Sequence, residues 1–181
     1  MNQTGELRLV NEAAGATEPV TLAEAKIYLG VTNTVEDALI TSQIAAARRI
    51  AEAYLSRDIV SKTYQLTFIE TLDGVLHLYN APITSVDSVT IDGGTALVED
   101  TGYELRGATD NPVIYLTDAL TVFDTTEVGP FRNVVVEYTT TGMTDALIED
   151  GIKALLSDLY NKGMVTTMYQ TILAPLRKMH I

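Results

Sequence analysis

Two histidines, six serines, several adjacent acidic pairs and one pair of arginines are the side chains here best suited to chemistry. A metal centre needs His, Asp or Glu at ligand spacing, as in HExxH. His77 stands alone in VLHLY and His180 sits one residue from the end, so neither has a partner in sequence. A serine hydrolase of the usual kind places its nucleophile in G-x-S-x-G. Ser42, Ser56, Ser61, Ser85, Ser88 and Ser157 all lack that frame. DGG at 92–94 reads as a turn and not as a phosphate cradle. Glu36–Asp37, Glu99–Asp100 and Glu149–Asp150 would suit a glycosidase only beside an aromatic platform. Trp is absent and aromatics are 7%. These pairs read as caps and solvated faces. The expectation is therefore no catalytic residues, no cofactor and no metal.

Arg48 and Arg49 ask for a different kind of chemistry, ion pairing. Three readings are open. Arg48 can pair with Glu52 one turn on, at i+4. Both arginines can meet an acidic face on a neighbouring copy. They can also meet nucleic acid, which the rest of the chain disfavours, because formal net charge is −12 and no aromatics interleave the pair. The acidity is concentrated. Residues 61–144 carry three Lys/Arg against twelve Asp/Glu, and no acidic residue follows Asp158. An acidic wall repels a phosphate backbone, so DNA can pass it without being held.

The elements that must place these groups follow from hydropathy spacing. With 181 residues and 46% hydrophobic content, the chain can bury a sizeable core. No run approaches the roughly 18 apolar residues of a membrane span, so no membrane contact is expected. The first residues do not read as a signal peptide. Cysteine is absent, which suits folding in a reducing cytoplasm. Thr21 and Glu24 form a capping box that opens a short helix, which Gly30 closes. Thr34 is the expected N-cap of a second helix. Its stripe is Ile40, Ile44, Ala47, Ala51, Tyr54 and Leu55. From 59 to about 141 the period becomes two, in TYQLTFIE, VLHLYN, SVDSVTIDGG, TALVED, GYELRG, PVIYLTD and NVVVEYTTTG. LRLV at 7–10 can add an edge strand. A last helix, capped by Thr144 or Asp145 and ended by Gly163, carries Leu147, Ile152, Leu155, Leu156 and Leu159.

The fold class expected is α+β: a helical bundle of two N-terminal helices plus a C-terminal helix, with an inserted antiparallel β-sandwich or barrel and extended terminal arms. The divisions are 1–18 as an N-terminal arm, 19–58 with 144–163 as the helical body, 59–143 as the inserted β domain, and 164–181 as a C-terminal arm. The apolar and basic tail has two readings, an arm docked on another protein or a segment folded back on its own chain.

PVTLAEAKIYLGVTNTVEDALITSQIAAARRIAEAYLSRDIV resembles the opening of the gp6-like head–tail connector (adaptor) family of tailed bacteriophages, which includes gp8-like members. The likeness rests on Leu22, Glu24, Lys26, Leu29, Glu36, Asp37, Ile44, the alanines 45–47, Arg48, Ala51, Glu52, Tyr54 and Leu55. LYNAPITSVDSVTID, VVVEYTTTG and IKALLSDLYNKG extend it to about 163. The sequence departs from the family in having no tryptophan near its middle strands. The resemblance implies a structural, non-catalytic virion protein at the capsid–tail junction, assembled in the host cytoplasm. It would form a homo-oligomeric ring, commonly of about twelve subunits, below the portal protein. That ring would extend the channel for passing genomic DNA without binding it specifically, and would receive the tail or a stopper or tail-completion protein. The expected portal contact is the C-terminal arm, through Tyr169, Leu173, Leu176, Arg177, Lys178 and Ile181. Arg48 and Arg49 are expected at an intersubunit or intrachain contact of the helical body. Two rival readings are another virion module (tail-completion or fibre-attachment) and a ligand-binding or carbohydrate-active β-sandwich.

Overall fold

The computed structural model of the protein describes residues 5–12, 17–69, 75–117, 133–162 and 165–177. Contacts divide the chain into two compact units. One is helical and takes 15–60 with 143–181; the other is a β unit and takes 1–14 with 61–142. The class is α+β.

In the helical unit, α1 (Leu22–Leu29) opens on a complete capping box: Glu24 N–H donates to Thr21 Oγ1, and Thr21 N–H donates to Glu24 Oε2 at 2.8 Å. The Thr21 hydroxyl, which donates to the same Oε2 at 2.7 Å, and the Thr21 N–H together hold the Glu24 carboxyl below the usual carboxylate range. Gly30 closes α1 in the left-handed conformation at φ 72°, where a side chain would be strained. Helix α2 (Asp37–Leu55) starts later than its sequence suggests, with Glu36 and not Thr34 at the N-cap. Asn33 forms a local turn to Val35 N–H, and Thr34 contributes its carbonyl to Asp37 N–H. Helix α3 (Ala146–Lys162) is capped by Asp145, whose Oδ1 accepts from Leu147 N–H at 2.8 Å. Its buried stripe begins at Ile148 and runs through Ile152, Leu155 and Leu156; Leu147 faces solvent, one position off. Gly163, expected to end α3, lies outside the described residues.

Residues 5–12 form the edge strand that LRLV suggests, and the tail takes the second of its two readings, folded back on its own chain. That strand is laddered along β2, with a register shift between Leu9 and Asn11. Residues 168–176 fold back onto their own chain as α4 (Met168–Leu173) and a 3-10 turn (Ala174–Leu176). Leu173 is fully buried and Tyr169 nearly so, in one core with Ile40, Ile44, Leu55, Ile148, Ile152 and Leu155. The seat for Leu173 is Gly151: a Cβ there would stand 2.7 Å from the Leu173 side chain.

Among the described residues the two sheets of the β unit share no ladder, so they pack as a sandwich and not as a closed barrel. The strands are β1 (Gly5–Glu12), β2 (Lys62–Ile69), β3 (Val75–His77), β4 (Ile83–Ile91), β5 (Tyr103–Arg106), β6 (Val113–Leu116) and β7 (Asn133–Thr140). One sheet runs β1-β2-β7-β4 and the other β3-β6-β5, all antiparallel. Alternation puts Leu66, Phe68, Val134, Val136, Tyr138 and Val89 on the inner face of the first. They pack against Leu76, Ile114, Leu116 and Tyr103 of the second. TALVED at 95–100 is not a strand. The Asp92–Gly93 turn before it and the turn that Gly102 N–H closes onto Val98 leave too little chain between them.

Seating Leu173 on Gly151 makes a definite prediction. Leu173→Ala should cost about 2–5 kcal/mol, and Gly151→Ala should release α4 by steric conflict. Hydrogen exchange reads this out as lost protection over 168–173; unchanged protection in both variants would contradict the packing described.

Candidate interaction surface

Arg48 projects from the middle of α2 into the helical unit and is 2% exposed. A guanidinium that deep must have its donors satisfied. Its Nη1 donates to both Glu52 carboxylate oxygens, at 3.1 and 3.0 Å. Its Nε donates to Glu18 Oε2 at 2.9 Å. Glu52 Oε1 in turn accepts from Ile59 N–H at 3.0 Å. One buried cation thus ties the approach to α1, the body of α2 and the segment after α2. That segment turns away at Ser56, where φ is 54°. Arg48 has no exposed face with which to meet another subunit or nucleic acid. Its neighbour Arg49 lies one helical step round and is exposed.

The surface the helical unit offers is apolar at places the sequence reading passed over. On α1, Ile27 is 82% exposed and Tyr28 about half; beyond it Val35 is 88% exposed and Leu39 about half. Glu24, Ile27, Tyr28 and Lys153 line a shallow recess of about 220 Å³. The signal for it was present: Ile27 and Tyr28 fall off the Leu22–Ala25–Leu29 stripe, so both faces of α1 are apolar. The Lys26–Asp37 ion pair at 2.6 Å fixes α1 against the start of α2. Tyr160 of α3 donates its hydroxyl to Glu36 at 2.7 Å. That bond to a carboxylate pushes the Tyr160 phenol above its ordinary range.

Of the expected portal contacts, Tyr169 and Leu173 belong to the core and present nothing to a partner. Tyr169 meets Tyr54 edge-on at 5.5 Å, and Tyr54 donates its hydroxyl to Gln170 O at 3.2 Å. Leu176 is half-buried against the same core. Arg177 is exposed and stands over the Tyr54 ring at 4.9 Å. Lys178 and Ile181 lie outside the described residues. His77 is exposed on β3. Among the described residues no cluster of His, Asp and Glu could hold a metal ion, and no helix is long and apolar enough to cross a membrane.

Residues 19–90 match the family described as phage gp6-like head-tail connector protein. That span takes in α1, Arg48 with its partner Glu52, and the chain as far as β4; Glu18 lies one residue before it. Solved structures resemble the protein over nearly its full length. A chain of the neck of an empty gene transfer agent particle, computed with C6 symmetry, matches at TM-score 0.68 and 16% identity, covering 97% of each chain. A chain of the virion of the native gene transfer agent particle matches at 0.70 and 17%, covering 97% of this chain and 96% of that one. A chain of the native neck, computed with C12 symmetry, matches at 0.68 and 16%, covering 94% and 96%. At these identities the likeness is one of fold. No match was found among curated proteins.

Removing the buried cation while its carboxylate partner remains should be costly. Arg48→Ala is expected to destabilise by about 3–5 kcal/mol, whereas Arg49→Ala should change stability by less than about 0.5 kcal/mol. Urea denaturation of both variants checks this; equal effects would contradict the assigned roles.

Proposed function

We propose that this chain is a structural head–tail connector of a phage-like particle, a subunit of a ring in the neck between portal and tail. One observation carries the reading. The segment that matches the connector family is also the one organised around buried Arg48, in a fold shared almost end to end with neck chains. The ring would have six- or twelve-fold symmetry, as in the necks of the similar particles. Its role is mechanical and not catalytic. Net charge of −12 suits a channel collar that genomic DNA passes without adhering. The chain would assemble in the host bacterial cytoplasm and finish in the virion.

The exposed apolar side of α1 and the α1–α2 loop is the proposed contact between ring neighbours, and Arg49, exposed further along α2, is a second candidate for it. Exposed apolar surface of this kind marks interaction sites. The portal contact is proposed at the end of the chain, through Leu176, Arg177, Lys178 and Ile181, and the opposite side of the ring would receive a stopper or tail-completion protein.

Co-sedimentation with the portal ring of the same particle tests this. Full-length protein should bind saturably at one copy per portal subunit, and a version ending at Arg177 should bind at least about tenfold more weakly. Failure to bind a competent portal would favour a tail-side module instead.

A further inference from the structure

Among the described residues, strand β1 is an edge, paired with β2 alone. The inner-face row Leu7–Leu66–Val136–Val89 is completely buried except at its first member, where Leu7 is 39% exposed. In the next row Leu9 is 49% exposed beside buried Tyr64. The apolar inner face therefore runs out past its cover. Among the described residues, no backbone group outside β2 bonds to residues 6–10. The other edge of the same sheet is managed differently. On β4 the chain turns back, so that Leu97 N–H donates to Val89 O at 2.8 Å, and two register shifts break the strand's regularity.

We propose that β1 pairs antiparallel with β1 of a second copy, about a two-fold axis at Leu7. The sequence GELRL complements itself in that register. Leu7 faces Leu7, Leu9 faces the bare Cα of Gly5, and Glu6 of each copy faces Arg8 of the other. Within their own sheet Glu6 and Arg8 lie beside neutral Thr67 and Gln65, and neither makes an ion pair with a described residue. Sliding the pairing by two residues sets Arg8 against Arg8 in one direction and Glu6 against Glu6 in the other. A one-residue slip moves the leucines to the wrong face. Opposite charges directly across two strands stabilise the pair and like charges destabilise it, so a single register is favoured. The four leucines would form one apolar strip across a continuous eight-stranded sheet. A two-fold contact closes on itself and does not propagate round a ring. The dimer is thus a state of the free chain, distinct from the ring contact on α1, and covers an edge that would otherwise recruit strands unselectively.

Sedimentation equilibrium of the full-length protein, from roughly micromolar to several hundred micromolar, tests the proposal with a charge swap. The wild type should dimerise. E6R and R8E should each weaken the dimer by about tenfold or more, because each reversal spoils two symmetric pairs. The double variant E6R/R8E should restore it. Both side chains are exposed, so circular dichroism should report an intact fold in every variant. A monomer at all concentrations would overturn the proposal. So would self-association that ignores the single reversals, or that the double variant fails to recover.

Discussion

A buried guanidinium with three segments hung on it is the constraint from which the helical unit follows. Arg48 sits 2% exposed between Glu52 on its own helix and Glu18 ahead of α1. Glu52 also accepts from the backbone N–H groups of Ile59 and Val60. Taking a cation out of water is expensive, and a hydrophobic residue of similar size often serves stability as well or better. What a hydrophobic residue cannot do is fix direction. The planar guanidinium dictates where two carboxylates lie, and one carboxylate dictates how the chain leaves α2. The apolar stripe of α2 supplies the driving force for packing, and the ion cluster selects one packing among several.

The β unit is organised by a different rule, the need to satisfy or hide sheet edges. Its first and last long strands after the helices, β2 and β7, are neighbours. They are tied at one end by Ser61 and Thr140, where the Ser61 hydroxyl donates to Thr140 O at 2.7 Å. Both passages of the chain into and out of the insertion are therefore adjacent, which lets a sandwich be inserted without opening the helical core. The N-terminal strand then extends the sheet and leaves its own edge uncovered. A protein meant to be built into an assembly can leave such surfaces open, because partners rather than the chain itself complete them.

Much of this was legible where local chemistry decides alone. Thr21, Glu24 and Gly30 fix α1 through hydrogen bonds within a few residues. The alternation in β2 and β7 fixes their inner faces. The Arg48–Glu52 pairing was one of three readings open from spacing, but spacing could not say that the pair is buried, because burial depends on Glu18 and on chain far from α2. Errors arose where a tertiary choice overrides a local one. Leu147 and Ile148 are equally apolar, but Ile148 shares the face of Ile152 and Leu155 at i+4 and i+7, whereas Leu147 falls off it; that much the spacing alone could decide. Val98 sits in a β-rich run, yet turns on both sides deny it a ladder. The tail looked like an arm because six residues of helix are too short to show a period, and its seat, Gly151, reads in sequence only as a weak point in a helix. Ile27 and Tyr28 fall off the buried stripe of α1 in the sequence itself, but how far they are exposed follows only from the packing of α1.

As a ring subunit of the neck, this chain must be visible at the vertex where portal and tail meet. Cryo-electron microscopy of intact particles tests it most directly. Density for both the helical and the β unit is expected in a rotationally symmetric ring between portal and tail, with the α1 face of each subunit against its neighbour. Absence of the chain from that vertex, or its presence only at the tail tip or fibres, would contradict it.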